Sequence, residues 1–377
     1  MSLSNRLQPS RDDSWRKALL LRGPRGLAAL TRLTGSFNIH ELVARHAQAY
    51  PPVVVLGDTF NKMGPIRKPS TPSPDSHPAA VPADDSGTDR EPWQASRLQH
   101  QGIASTAQTT SPTEHPPRST CNIRINEAYP GILSDPEWLT YTTLTAISDW
   151  PWNPLGQGAR PYLFLESDNL DHAAQDLIEA PAARSWWEAL PKNEQIMLGS
   201  GERQPDVQRL ARRVEVYLEE SSWRLPWGLT TSNKIGPRLP AARLCDDEAV
   251  YGLDEPISCW RLPVDSDARV YEINVPSDWI ALCETYPKLI HIPPEWTRWG
   301  VDAVRGLCAD WFAVACDWDA LHISMAGLLT TVGLPLGIGA YGSIFEDEIG
   351  SELTVWFRPC FGEPSFITTF EGYEPPI

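Results

Sequence analysis

Fourteen of the 16 tryptophans lie beyond residue 120, whereas residues 51–120 hold 12 of the 36 prolines. This contrast constrains the fold more than any motif does. A stretch such as RKPSTPSPDSHPAAVPADDSGTDREP cannot bury enough apolar surface to offset the chain entropy lost on folding. Residues 51–120 are therefore expected to form a disordered Pro/Ser-rich linker. Residues 1–50 read as a basic, partly helical tail, in which SWRKALLLRG is amphipathic but Gly23, Pro24 and Gly26 interrupt it. Residues 121–377 are expected to fold as one globular domain.

Within that domain, ARVYEINV, ELTVWFRP and SFITTF carry strand-forming residues between turn residues. CNIRINEAY and PYLFLES read as further strands, and ALHISMAGLLT as a strand throughout. Val207, Leu210, Ala211, Val214 and Leu218 fall at i, i+3, i+4, i+7 and i+11 behind Pro205, one face of a helix. DNLDHAAQDLIEA predicts a short helix stopped by Pro181. PSDWIALCETYP predicts a helix with Ser277 as cap and Trp279, Leu282, Cys283 and Tyr286 as its buried stripe. AVRGLCADWFAVAC is read as another helix. Strands and helices mix without regular alternation, so the fold class expected is α+β, a mainly antiparallel sheet with packed helices behind a long disordered N-terminal segment.

The charge is divided as sharply as the tryptophans. Residues 1–120 carry 14 Lys and Arg against 10 Asp and Glu; the rest carries 18 against 38. An acidic body repels phosphate backbones, which argues against nucleic acid; it could attract a basic protein partner or bind cations, although solubility alone more often explains acidic faces. No apolar run approaches the ~18 residues of a membrane span. Seven cysteines, an odd number with no C-x-x-C pair, read as free thiols in a reducing compartment. The N-terminal residues lack the apolar core of a secretory signal. A cytoplasmic location is expected.

Arg269 to Gly333 resembles a pattern found in uncharacterised actinobacterial proteins. These carry a strand like RVYEI, a helix opening PSDW and ending YP, a DW helix, and a strand like ALHIS before a small-residue turn. The matching residues are Arg269–Ile273, Pro276–Trp279, Tyr286, Pro287, Asp310, Trp311, Asp319, His322 and Gly327. The resemblance covers about a fifth of the chain and brings no activity with it.

Catalytic motifs are few. GIGAYG matches G-x-G-x-x-G literally, but a dinucleotide site needs a helix to begin inside it. Pro335 before it and a strand after it predict a glycine turn between strands instead. His172, His291 and His322 each stand alone, without the close Cys or His pairs of a zinc site. No cofactor or metal site is expected from these motifs. FEDEIGSE gathers Glu346, Asp347, Glu348 and Glu352. These could hold a hard cation in a metal-dependent hydrolase, but the spacing does not match a calcium loop and a solvated acidic turn is the favoured reading.

The order Arg261, Ser324, Glu346/Glu348 resembles the outline of arginine-containing ADP-ribosyltransferases. That resemblance implies NAD, with Arg261 as phosphate anchor, Ser324 as scaffold and Glu348 as catalytic carboxylate. The small-residue signature of those enzymes is absent, because the strand reads HISMAG. Alternation along ALHISMA sets Leu321, Ile323 and Met325 on one face and His322 with Ser324 on the other. His322 is then either a general base oriented by a carboxylate or a structural histidine bonded to Asp319 or backbone. The function expected first is that of an acidic binding or accessory protein, with an NAD enzyme and a metal hydrolase as alternatives.

Overall fold

Both faces of the central strands of a seven-stranded sheet are buried, and this double burial organises the molecule. The computed structural model describes residues 14–34, 124–152, 170–193, 195–219, 224–246, 253, 256–292, 303, 305–345 and 349–370. The strands are β1 (Gln195–Ser200), β2 (Thr230–Asn233), β3 (Ile257–Leu262), β4 (Val270–Ile273), β5 (Pro287–Ile290), β6 (Gly306–Ala309), β7 (Ala320–Ile323), β8 (Pro335–Ile338), β9 (Tyr341–Ile344), β10 (Leu353–Trp356) and β11 (Ser365–Phe370). The large sheet runs β11-β3-β1-β2-β10-β7-β4, and a smaller one runs β5-β6-β9-β8. All neighbours are antiparallel except β4 with β7 and β6 with β9.

The helices are α1 (Ser14–Leu20), α2 (Pro24–Leu33), α3 (Ile125–Ala128), α4 (Pro136–Trp152), α5 (Asp171–Glu179), α6 (Val207–Glu219), α7 (Pro276–Thr285), α8 (Trp311–Asp317) and α9 (Met325–Thr330). The fold is α+β with a mainly antiparallel sheet, as expected. On one face, α6 lays Ala211 and Val214 against Met197, Leu262, Ala320 and Trp356. On the other, Leu321, Ile323, Leu353 and Val355 join the main core with the remaining helices. Adjacent residues of one strand thus serve different cores, as the pleat requires.

Four local expectations are corrected, each by a specific bond. From Arg124, where the described residues of CNIRINEAY begin, the segment is not a strand: Ile125 opens α3, tied to α5 where its N–H donates to Asp176 Oδ2 at 3.3 Å. GLCA becomes β6, because α8 starts only where the Asp310 carboxylate accepts from the N–H groups of Phe312 (3.1 Å) and Ala313 (3.4 Å). The strand from Ala320 stops at Ile323, because Ser324 Oγ accepts from Gly327 N–H at 3.0 Å and caps α9. Asp278, rather than Ser277, caps α7, accepting from the N–H groups of Asn274 (2.9 Å) and Val275 (3.0 Å). In each case a side-chain acceptor satisfied an orphan helix N–H, and periodicity carries no information about that.

The N-terminal helices also differ from the expected tail. Residues 14–34 belong to the same compact unit as the C-terminal body. Leu20, Leu27, Leu30 and Leu33 are fully buried in the main core. Gly23 and Pro24, read as interruptions, instead form the corner and the first turn from which α2 starts. The linker expected at 51–120 and the PYLFLES strand lie outside the described residues.

GIGAYG is a hairpin turn, with β8 and β9 paired from Pro335–Ile344 to Ile338–Tyr341 and Gly339 at φ 60°. Gly327 has a different reason to be glycine. A Cβ there would lie 2.0 Å from the carbonyl oxygen of Ile273, where α9 packs on β4. That oxygen belongs to the backbone and cannot rotate away. Gly327→Ala is expected to cost roughly 3 kcal/mol, the upper end for overpacking, read as a lower urea midpoint at unchanged slope.

Candidate functional site

Register alone assembles the site. Glu272 of β4 pairs with His322 of β7, His322 with Thr354 of β10, and Thr354 with Thr231 of β2. Four polar side chains therefore form one row across four strands, on the face that α6 covers further along. Beyond the end of α6 the segment around Leu190 closes over the row, its N–H donating to Glu272 Oε1 at 3.0 Å.

His322 is fully buried and lies between two carboxylates. Its Nδ1 is 2.5 Å from Glu272 Oε2 and its Nε2 is 3.1 Å from Glu352 Oε1. Burial alone would push its pKa below the ordinary histidine value. The charge and hydrogen bond of Glu272, followed by those of Glu352, outweigh burial and raise it to about 9. The ring is an imidazolium at neutral pH, donating from both nitrogens.

Glu352 is held from several sides. Ser232 Oγ donates to its Oε2 at 2.6 Å, and Asn233 N–H is shared between its oxygens at 3.0 and 3.3 Å. A second relay has a fixed direction, because an indole can only donate. Trp356 Nε1 donates to Thr231 Oγ1 (2.8 Å), which donates to Gln195 Oε1 (2.5 Å). Gln195 Nε2 then donates to Asn233 Oδ1 (2.5 Å), which leaves Asn233 Nδ2 facing His322 Nε2 at 3.4 Å. Two donors face each other there, so the Nε2 proton goes to Glu352, the nearer acceptor.

Thr354 Oγ1 sits in this row, fully buried and without a partner among the described residues. Replacing an unpaired buried hydroxyl by a methyl removes a desolvation cost. Thr354→Val is expected to stabilise the protein by about 1 kcal/mol, measured as a raised urea midpoint.

Glu352 also reaches the floor of a cavity of about 270 Å³. Ser324 and Asn233 share the floor, and Trp186 and Met325 form apolar walls. Lys234 and Glu188 stand exposed at the rim. Arg243, half-buried and with its pKa lowered by desolvation, bonds Thr230 Oγ1 and feels the charges of Asp246 and Glu352. The arrangement places an oriented carboxylate at the bottom of a small half-apolar pocket, with a charged histidine and a second carboxylate behind it.

The sequence-derived candidates separate accordingly. His322 is at the centre, but its partners are Glu272 and Glu352 rather than Asp319, whose carboxylate binds Arg269 and Arg358. Ser324 lines the cavity as a helix cap and does not share a strand face with His322. Arg261 is exposed on β3, separated from β7 by β1, β2 and β10. Four strand spacings amount to roughly 19 Å, so Arg261 does not join Ser324 or His322. Glu346 and Glu348 lie outside the described residues. Among the described residues no group of three His, Cys, Asp or Glu side chains is arranged to hold a metal ion, and no helix is long and apolar enough to cross a membrane.

Two residues of the site went unrecognised by sequence reasoning. Glu272 is the one charged residue of a four-residue strand, and Glu352 was counted as part of an acidic turn. An isolated carboxylate within an apolar strand pattern is the local signal that marks Glu272; Glu352, one residue before β10 and among other acids, has no such signal. Comparison with family models, with curated proteins and with solved structures returned no match, so geometry alone carries the functional reading.

Proposed function

We propose that this chain is a binding protein whose cavity takes a small ligand through Glu352. One observation carries the reading. A carboxylate only 2 % exposed reaches a pocket floor while Ser232, the Asn233 N–H and His322 fix it from behind. The lining is polar and apolar in similar measure, and a polar group held in place beside apolar walls is how a small-molecule site orients its ligand. A fragment set of neutral, anionic and cationic molecules should contain members that raise Tm at millimolar concentration, and raise it less in Glu352→Gln. Equal shifts in that variant, or no shift with any fragment, would remove the reading.

A second reading is supported by the charged His322. A ring holding a proton beside Glu352 can return it, so that Glu352 serves as a general acid or base in the cavity. Turnover of a bound fragment, lost in Glu352→Gln, separates catalysis from binding. The acidic surface of the body supports the further proposal of a basic protein partner, testable by pull-down with the full chain. Burial raises the thiols of Cys245, Cys259 and Cys308 to about 12. These unpaired, buried thiols support a reducing, cytoplasmic setting.

A further inference from the structure

We infer that the ligand of this cavity is a small organic cation, a primary ammonium on an apolar body; the inference rests on the cavity being a binding site. The first argument is charge. Glu272 and Glu352 enclose one imidazolium, which leaves one negative charge; Asp246 offsets Arg243, and Glu188 offsets Lys234 at the rim. The surplus charge resides on the triad, and within it Glu352 reaches the cavity. A cation entering there completes the neutralisation in a region where burial strengthens the attraction.

The second argument is the number of acceptor sites left. A carboxylate offers about four lone-pair positions, and Ser232 Oγ, the Asn233 N–H and His322 Nε2 already occupy both oxygens from the sheet side. A guanidinium or amidinium needs both oxygens free for its fork, whereas an ammonium bonds at a single point. A carboxylate ligand would face Glu352 directly and be repelled.

The third argument is size and wall chemistry. The volume of about 270 Å³ lies just below the usual range for drug-sized ligands. Trp186 and Met325, 5 % and 4 % exposed, offer an aromatic ring and a thioether to an apolar body. A ring on a short amine meets these conditions.

The test is titration calorimetry of the full chain with benzylamine, benzyl alcohol, benzoate and benzamidine at low salt. Benzylamine is expected to bind at least tenfold more tightly than the other three, and to lose that advantage in Glu352→Gln. Glu188→Lys changes an exposed rim residue and leaves the buried triad intact. It should weaken benzylamine severalfold and leave benzyl alcohol unchanged, and this result stands even if Glu352→Gln fails to fold. Tighter binding of benzyl alcohol, benzoate or benzamidine would overturn the ammonium assignment while the cavity remains a binding site. No binding of any probe, with no fragment raising Tm, would remove both.

Discussion

Deletion of residues 1–34 is expected to abolish cooperative unfolding of the remaining chain. The helices α1 and α2 contribute Leu20, Leu27, Leu30 and Leu33 to the main core, each with no exposed surface. Fully burying one leucine contributes about 1.5–3 kcal/mol, so the four together contribute roughly 6–12 kcal/mol. A domain has about 5–15 kcal/mol of net stability, so the loss is of the same size as the whole. The buried Arg25, which donates to the Ile349 carbonyl, leaves with them, and with it a tie on the segment leading to Glu352. The measurement is urea unfolding followed by tryptophan fluorescence. A truncated chain with a sharp transition at the full-length midpoint would show that α1 and α2 are dispensable. A milder variant, Leu27→Ala and Leu30→Ala together, should cost roughly 4–10 kcal/mol as two core truncations.

How much of this was legible in the sequence depends on the range of the interaction. The stripe of α6 follows from spacing alone, because i, i+3, i+4 contacts are local; Ala211 and Val214 are buried as their positions require. The turn at Gly339 and the strands β4, β10 and β11 are similarly local. Failures begin where one hydrogen bond decides the outcome. Ser324 capping α9 and Asp310 capping α8 turn apolar runs from one element into two. The site lies at the far end of this scale. His322 was singled out as a lone histidine in a strand, but its partners come from β4, fifty residues earlier, and from the start of β10, thirty later. Strand order and register bring them together, and nothing near His322 encodes either. The nearby Asp319 was the partner expected from the sequence, yet it serves Arg269 and Arg358. The same logic misplaced the tail. An amphipathic segment with Gly and Pro reads as frayed until a groove is known to receive it.

Replacing His322 by leucine should be the most damaging single substitution in the sheet. The shape of the side chain is partly kept, but Glu272 and Glu352 lose the charge between them. Removing one member of a buried ion pair typically costs 3–5 kcal/mol, because the uncompensated charge remains. The pH dependence identifies the cause. His322 has a pKa of about 9 when folded, above its ordinary value of 6.5. The folded state therefore holds a proton that the unfolded chain releases above pH 6.5. The stabilisation is complete below 6.5 and is lost as pH rises through 9, a change of about 3 kcal/mol. Buried thiols raised by desolvation also weaken the fold in alkali, but they act from the ordinary thiol range upward and are present in both proteins. The difference between wild type and His322→Leu, followed by urea unfolding from pH 6 to 10, isolates the histidine. It should shrink steadily across that range. A difference independent of pH would mean that His322 is neutral in the fold, and that Glu352 faces the cavity without a proton behind it.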